Sequence, residues 1–130
     1  MTNETMTIRA MCDAFDVTPR TLRFYEAKEL LFPVRDGTKR LFTRRDRARL
    51  KLILRGKRFG FSLEDIRQLL DLYDRDGNDM AQKRAAYALA MKRLGEMETE
   101  RAALDAAITE LRTEIANGER DLTDLHRSAA

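Results

Sequence analysis

The sequence predicts a mainly α-helical chain: a winged helix-turn-helix head, built of four helices and a small β-hairpin wing, followed by one long coiled-coil dimerisation helix. Three observations carry this. Helix-start signals at Thr7, Thr18, Thr43 and Ser62 divide the first 76 residues into short helices. A basic stretch over residues 34–42, with Asp36-Gly37 inside it, separates the second start from the third and reads as a hairpin. Beyond it, apolar residues step alternately by three and four from Tyr87 to Ile115 with no proline among them. The expected division is 1–76 for the head, 77–117 for the long helix, and 118–130 for a short C-terminal tail.

The first helix is expected over residues 7–15, TIRAMCDAF. Thr7 caps it, Met6 and Met11 can form a staple across the cap, and Ile8, Met11 and Phe15 fall at helical spacing. Asp16-Val17 leaves room only for a tight turn. The second helix then starts at Thr18, a good N-cap, with Pro19 at the first helical position, where its missing N–H costs nothing. Val17 and Leu22 occupy the two ends of a staple, and the helix is expected to end near Glu29. Arg20, Arg23 and Phe24 make one stripe, and Thr18, Thr21, Tyr25 and Lys28 make the next. Guanidinium, hydroxyl and ammonium groups on one surface suit phosphates and base edges. A solvated helix whose aromatics belong to a small core is the alternative.

Leu30-Leu31-Phe32-Pro33 closes the second helix, because Pro33 disfavours helical geometry at Phe32. The hairpin that follows carries Arg35, Lys39 and Arg40 and reads as a basic wing; an ordinary surface hairpin is the alternative. Thr43 caps a third helix, with Asp46 in the reciprocal position of a capping box, running to about Phe59. Ala48, Leu50, Leu52, Ile53, Leu54 and Phe59 supply its buried side, and Arg44, Arg45, Arg47, Arg49, Lys51, Arg55, Lys57 and Arg58 crowd the rest. Gly60 stops it. Ser62 starts a fourth helix with a Phe61–Ile66 staple and a stripe of Ile66, Leu69, Leu70 and Tyr73, expected to end in the polar run 74–78.

From Asp79 to Asn117 there is neither proline nor a turn cluster, which predicts a helix of about 60 Å at ~1.5 Å per residue. Tyr87, Ala90, Leu94, Met97, Arg101, Leu104, Ile108, Leu111 and Ile115 form a heptad seam, interrupted once by Arg101. So long a stripe asks for a partner helix, and a second copy of the chain is the simplest one. Leu94, Met97, Leu104, Ile108, Leu111 and Ile115 are the expected dimerisation residues. Asn117-Gly118 is read as the helix stop, with Leu122 and Leu125 either continuing the seam or forming a small terminal helix.

The net charge of +3 conceals an asymmetry. Residues 1–60 hold 15 Lys and Arg against 7 Asp and Glu, whereas residues 61–130 hold 10 against 15. Basic charge gathered in the head is the footprint of a nucleic-acid module. No apolar run approaches a membrane span, and there is no secretory signal pattern. The single cysteine, Cys12, fits a reducing cytoplasm, and with His126 far from it the chain offers no metal cluster. Neither a Ser/His/Asp set nor a glycine-rich phosphate loop argues for an enzyme, and no cofactor is expected.

The order of these pieces resembles the MerR family of bacterial transcription regulators. The motifs that carry the resemblance are TPRTLRFYE at 18–26, Leu30-Leu31 with Pro33, KRLFT at 39–43 and GFSLEDIRQLL at 60–70, spanning about residues 7–73. RGKRFGFSL and DLYD further resemble a subgroup linked to catabolism of leucine and related acyl compounds. The resemblance implies that the second helix enters the major groove, with Thr18, Arg20, Arg23 and Tyr25 in contact with DNA. Arg40 matches the arginine of the family's aromatic-Arg-x-aromatic wing pattern. Lys39 replaces the first aromatic, which makes that contact more electrostatic. The resemblance also implies an antiparallel homodimer on a pseudo-palindromic promoter, distorting the duplex so that RNA polymerase can engage both promoter elements. The cysteines that metal-sensing relatives place near the end of the long helix are absent here, so the sequence names no small-molecule effector. An architectural DNA-binding protein with a coiled coil is the competing reading.

Overall fold

The computed structural model of the chain describes residues 4–76 and 80–129. Among the described residues the elements run β1 (Met6–Thr7), α1 (Ile8–Phe15), α2 (Pro19–Ala27), β2 (Val34–Asp36), β3 (Lys39–Phe42), α3 (Arg44–Phe59), α4 (Leu63–Asp76) and α5 (Met80–Ala129). The fold is therefore the expected one: mainly helical, with a hairpin wing and a long final helix. The chain divides into two units, Met1–Leu89 and Ala90–Ala130.

Each of the four helix starts anticipated from the sequence is built as expected. Thr7 Oγ1 accepts from Ala10 N, Thr18 Oγ1 from Thr21 N, Thr43 Oγ1 from Asp46 N, and Ser62 Oγ from Asp65 N, all at 3.0–3.1 Å. At Thr43 the box is reciprocal, since Asp46 Oδ2 accepts from Thr43 N at 3.0 Å. These bonds satisfy backbone donors that have no partner inside the helix.

The helix ends are less local. Gly60 takes a left-handed conformation, φ 82°, so that Phe61 N reaches back to Gly56 O at 2.9 Å. The same closure occurs at Glu29, φ 59°, where Leu30 N bonds Tyr25 O and Glu29 N bonds Glu26 O, both at 2.9 Å. A third left-handed residue, Asp16 at φ 55°, ends α1. The second helix thus stops at Ala27, slightly before the expected Glu29, because the left-handed turn uses Glu29 itself. Leu30 and Tyr25, bracketing that turn, are both buried, which is the apolar contact such a closure favours.

Three of the expected element boundaries and pairings differ in the structure. The wing is three-stranded: β1 joins β3 antiparallel with Met6 opposite Phe42, so the order is β1-β3-β2 among the described residues. Two residues carry no alternation to read, which is why this strand escapes a sequence analysis. In the hairpin, Asp36 pairs with Lys39, so the loop is Gly37-Thr38 rather than Asp36-Gly37. Finally, Asn117-Gly118 does not stop the long helix, which continues to Ala129. A single interior glycine costs about 1 kcal/mol of helix stability, too little to end a helix flanked by good helix formers. Arg120 also donates to Asn117 Oδ1 at 2.7 Å, a side-chain contact one helical turn long. The fourth helix reaches Asp76, inside the polar run 74–78 where its end is expected. The Tyr73 side chain, the stop at Gly77-Asn78 and the start at Asp79 lie outside the described residues.

The core of the first unit consists of Met11, Leu22, Tyr25, Leu30, Leu31, Phe42, Leu50, Ile53, Ile66 and Leu70, drawn from α1, α2, β3, α3, α4 and the segment after α2. Among the described residues, two charged side chains are buried with them. Asp46 accepts from Phe32 N at 2.9 Å as well as from Thr43, pinning the α2–β2 connection to the start of α3. Arg49, expected among the solvated cations, is instead 2% exposed: its Nε donates to Leu30 O at 2.7 Å and its guanidinium lies 5.2 Å from the centre of the Phe32 ring. Phe59, expected inside, is exposed.

In the second unit, none of the described residues of α5 is buried. Leu94, Met97, Leu104, Ile108, Leu111 and Ile115 are exposed along one helical stripe, and Leu122 and Leu125 extend the same three-four stepping past Gly118. Arg93 pairs with Glu96 and Glu100 on the helix surface.

Candidate nucleic-acid interface

The exposed side of α2 follows from how the helix is anchored. Leu22 and Tyr25 are buried on its inner face, three residues apart, and this fixes which residues point outward. Thr18, Arg20, Arg23, Phe24 and Lys28 are exposed, while Thr21 is half-buried. The two threonines at the helix start share a hydroxyl–hydroxyl hydrogen bond of 2.9 Å. Lys28 Nζ lies 5.7 Å from the centre of the Phe24 ring, which holds an ammonium beside an exposed aromatic.

The expected site residues therefore separate. Thr18, Arg20 and Arg23 stand on the exposed side. Tyr25 does not: its side chain is 1% exposed, it belongs to the core, and burial pushes its phenol pKa up. Spacing alone placed Tyr25 with Thr18 and Thr21, but it also sits three residues after Leu22, and the core takes it. Phe24 is the exposed aromatic of this helix.

On the wing, Lys39 is exposed and Arg40 half-buried. In the β2–β3 register Arg35 stands directly opposite Arg40. Both are met by one carboxylate from α2: Glu26 Oε1 accepts from Arg40 Nε at 2.6 Å and Glu26 Oε2 from the Arg35 guanidinium at 3.0 Å. Partial burial works against the Glu26 carboxylate, but the hydrogen bonds and charges of Arg40 and Arg35 outweigh it and hold its carboxyl below the usual range. Residues 9 and 14 positions apart are joined by this clamp, so no local pattern signals it.

Cys12 is half-buried in α1. Burial, with Asp13 beside it, pushes its thiol up against the smaller opposing effect of Arg23. Among the described residues no group of three or more His, Cys, Asp or Glu is placed to hold a metal ion, and no helix is long and apolar enough to cross a membrane.

Comparison with known proteins agrees with this geometry. A family model described as MerR HTH family regulatory protein matches residues 6–73, and one described as MerR, DNA binding matches residues 47–113. The HTH-type transcriptional regulator ZntR of Escherichia coli K12 is 46% identical over 59 residues, 44% of this chain and 42% of its own length, so the match spans less than half of that relative. Among solved structures, the lead(II) complex of the transcription regulator PbrR691 from Ralstonia metallidurans CH34 is similar with a TM-score of 0.63 and 29% identity, covering 82% of this chain and 85% of that one. HiNmlR, a regulator lacking its sensor domain and bound to promoter DNA, is similar with a TM-score of 0.59 and 27% identity, covering 81% and 79%.

Proposed function

The chain belongs to the MerR family of helix-turn-helix regulators, and on that premise we propose that it is a sequence-specific, DNA-binding transcription regulator acting as a homodimer. The observation that carries the reading is the exposed cationic side of α2, with Thr18, Arg20 and Arg23 outward and Leu22 and Tyr25 anchored in the core. A short helix with outward guanidinium groups is the instrument that reads base edges in the major groove. Lys39 and Arg40 on the wing supply phosphate contacts, which position the head without reading sequence.

Homodimerisation is supported by the exposed seam Leu94, Met97, Leu104, Ile108, Leu111 and Ile115. Apolar side chains at this spacing lose water when a second helix covers them, at roughly 25 cal/mol per Å². In this reading residues 1–76 form the DNA-binding head and the antiparallel pairing uses residues 77–117. Because α5 continues to Ala129, the tail extends the pairing helix through Leu122 and Leu125. A two-fold protein requires a two-fold site, hence a pseudo-palindromic promoter with half-sites an integral number of turns apart, about 34 Å for one turn. Holding both half-sites distorts the intervening duplex at a cost of a few kcal/mol, offset by backbone contacts, and this distortion lets RNA polymerase engage both promoter elements. RGKRFGFSL at 55–63 supports a link to leucine and acyl catabolism.

Footprinting on the region upstream of its own gene tests the proposal. We expect a protected site with approximate two-fold symmetry and enhanced cleavage at its centre, where the duplex is deformed. Equal affinity for that fragment and for a scrambled one would leave only an architectural role.

A further inference from the structure

We propose that Glu26 is a positioning residue for DNA recognition: it locks the wing to the recognition helix and presents Arg35 and Arg40 to the phosphate backbone. The inference rests on the DNA-binding reading above and deepens it. Three observations combine. The hairpin register sets Arg35 directly opposite Arg40, a like-charge pair that by itself opposes the hairpin. Glu26, from α2, contacts both, one carboxylate oxygen to each. Its side chain is only 21% exposed, so the clamp is partly shielded from solvent.

The geometry explains how an acidic residue can serve an interface that binds a polyanion. Glu26 engages the Nε of Arg40 and one terminal nitrogen of Arg35. A guanidinium has five N–H donors, so each arginine keeps donors for phosphate. The carboxylate neutralises the repulsion between them and restricts their rotamers, so less side-chain entropy is lost when phosphate is bound. It also ties the orientation of the wing to that of α2, so that a base-reading helix and a backbone-reading hairpin engage the duplex in one register. Without the clamp the head gains positive charge but loses alignment.

Those two consequences have opposite signs, which makes the test sharp. The full chain, as wild type and as E26Q, is titrated by fluorescence anisotropy over a range of salt concentrations. Two duplexes are used: one enriched from a random-sequence pool by the wild-type protein, and a scramble of it. We expect E26Q to bind the enriched duplex about tenfold more weakly, the scrambled duplex equally or more tightly, and to show a log–log salt slope on the enriched duplex smaller by about two, one phosphate for each released arginine. E26D keeps the charge but shortens the reach, and falls between the two proteins; it also carries the test if E26Q melts early. Tighter binding of E26Q to both duplexes with an unchanged slope overturns the inference, because Glu26 would then be only a repulsive charge. If the wild-type protein enriches no sequence, the DNA-regulator reading falls and this inference with it. Enrichment by wild type together with wild-type behaviour of E26Q defeats the clamp alone.

Discussion

Gly56 of α3 lies against Ile66 of α4 so closely that a β-carbon at position 56 would stand 2.8 Å from Ile66 Cγ1 and 3.1 Å from its Cδ1. Gly56 is therefore the contact point of two helices rather than a defect in one. Helix propensity alone says that Gly56→Ala should stabilise by about 1 kcal/mol. Overpacking against a buried isoleucine costs about 1–3 kcal/mol. We expect the second effect to win and urea unfolding to show a net loss of about 1 kcal/mol. Combining Gly56→Ala with Ile66→Ala should recover part of what the two changes cost separately, a coupling that two independent sites would not show.

Glu29 is the converse case. It is exposed, holds φ 59°, and closes α2 in a conformation that costs a residue with a β-carbon roughly 1–2 kcal/mol. Glu29→Gly should raise the unfolding free energy by about 1 kcal/mol, less whatever glycine adds to the entropy of the unfolded chain. A fall in denaturation midpoint would show that the Glu29 side chain has a stabilising role that its backbone conformation conceals.

Arg23 and Tyr25 sit two residues apart and should behave oppositely. Arg23→Ala removes an exposed cation, so melting should be unchanged while binding to a selected site weakens by about 1–3 kcal/mol and loses discrimination if a base edge is read. Tyr25→Ala opens a core cavity and should cost about 3–5 kcal/mol of stability. Tyr25→Phe keeps the ring and should leave DNA affinity as it is. A large affinity loss in Tyr25→Phe at unchanged stability would place its hydroxyl in the interface after all.

The seam on α5 makes a prediction about assembly. Leu104→Lys with Ile108→Lys introduces charge into an apolar stripe exposed in the single chain, so the isolated helix should tolerate both changes. Sedimentation should shift from dimer to monomer, and DNA affinity should drop because two-site binding is lost. An unchanged sedimentation coefficient would remove the dimer proposal.

Cys12 should be a slow thiol. Its pKa is raised chiefly by burial, so near neutral pH it holds less of the reactive thiolate than a free cysteine does. Alkylation followed by mass spectrometry should run slower than for a cysteine peptide at about pH 7.5, and the rate should go on climbing with pH after that of the peptide has levelled off. Rapid labelling at neutral pH would mean that the first helix opens readily.

The sequence by itself determined the helix starts, the hairpin and the seam. Each depends on residues within one or two turns of each other: Thr7, Thr18, Thr43 and Ser62 accept from a backbone N–H three residues on, and a heptad is a property of one helix. Tertiary structure decided what depends on residues far apart in the chain. It took Tyr25 and Arg49 into the core, although both looked like surface residues by spacing, because their neighbours Leu22, Leu30 and Ile53 had already turned that side inward. It paired Met6 with Phe42 and closed Glu26 on Arg35 and Arg40. Side-chain periodicity says which face of an element is apolar. Only packing says which polar groups that face carries inside with it, and which charges meet across it.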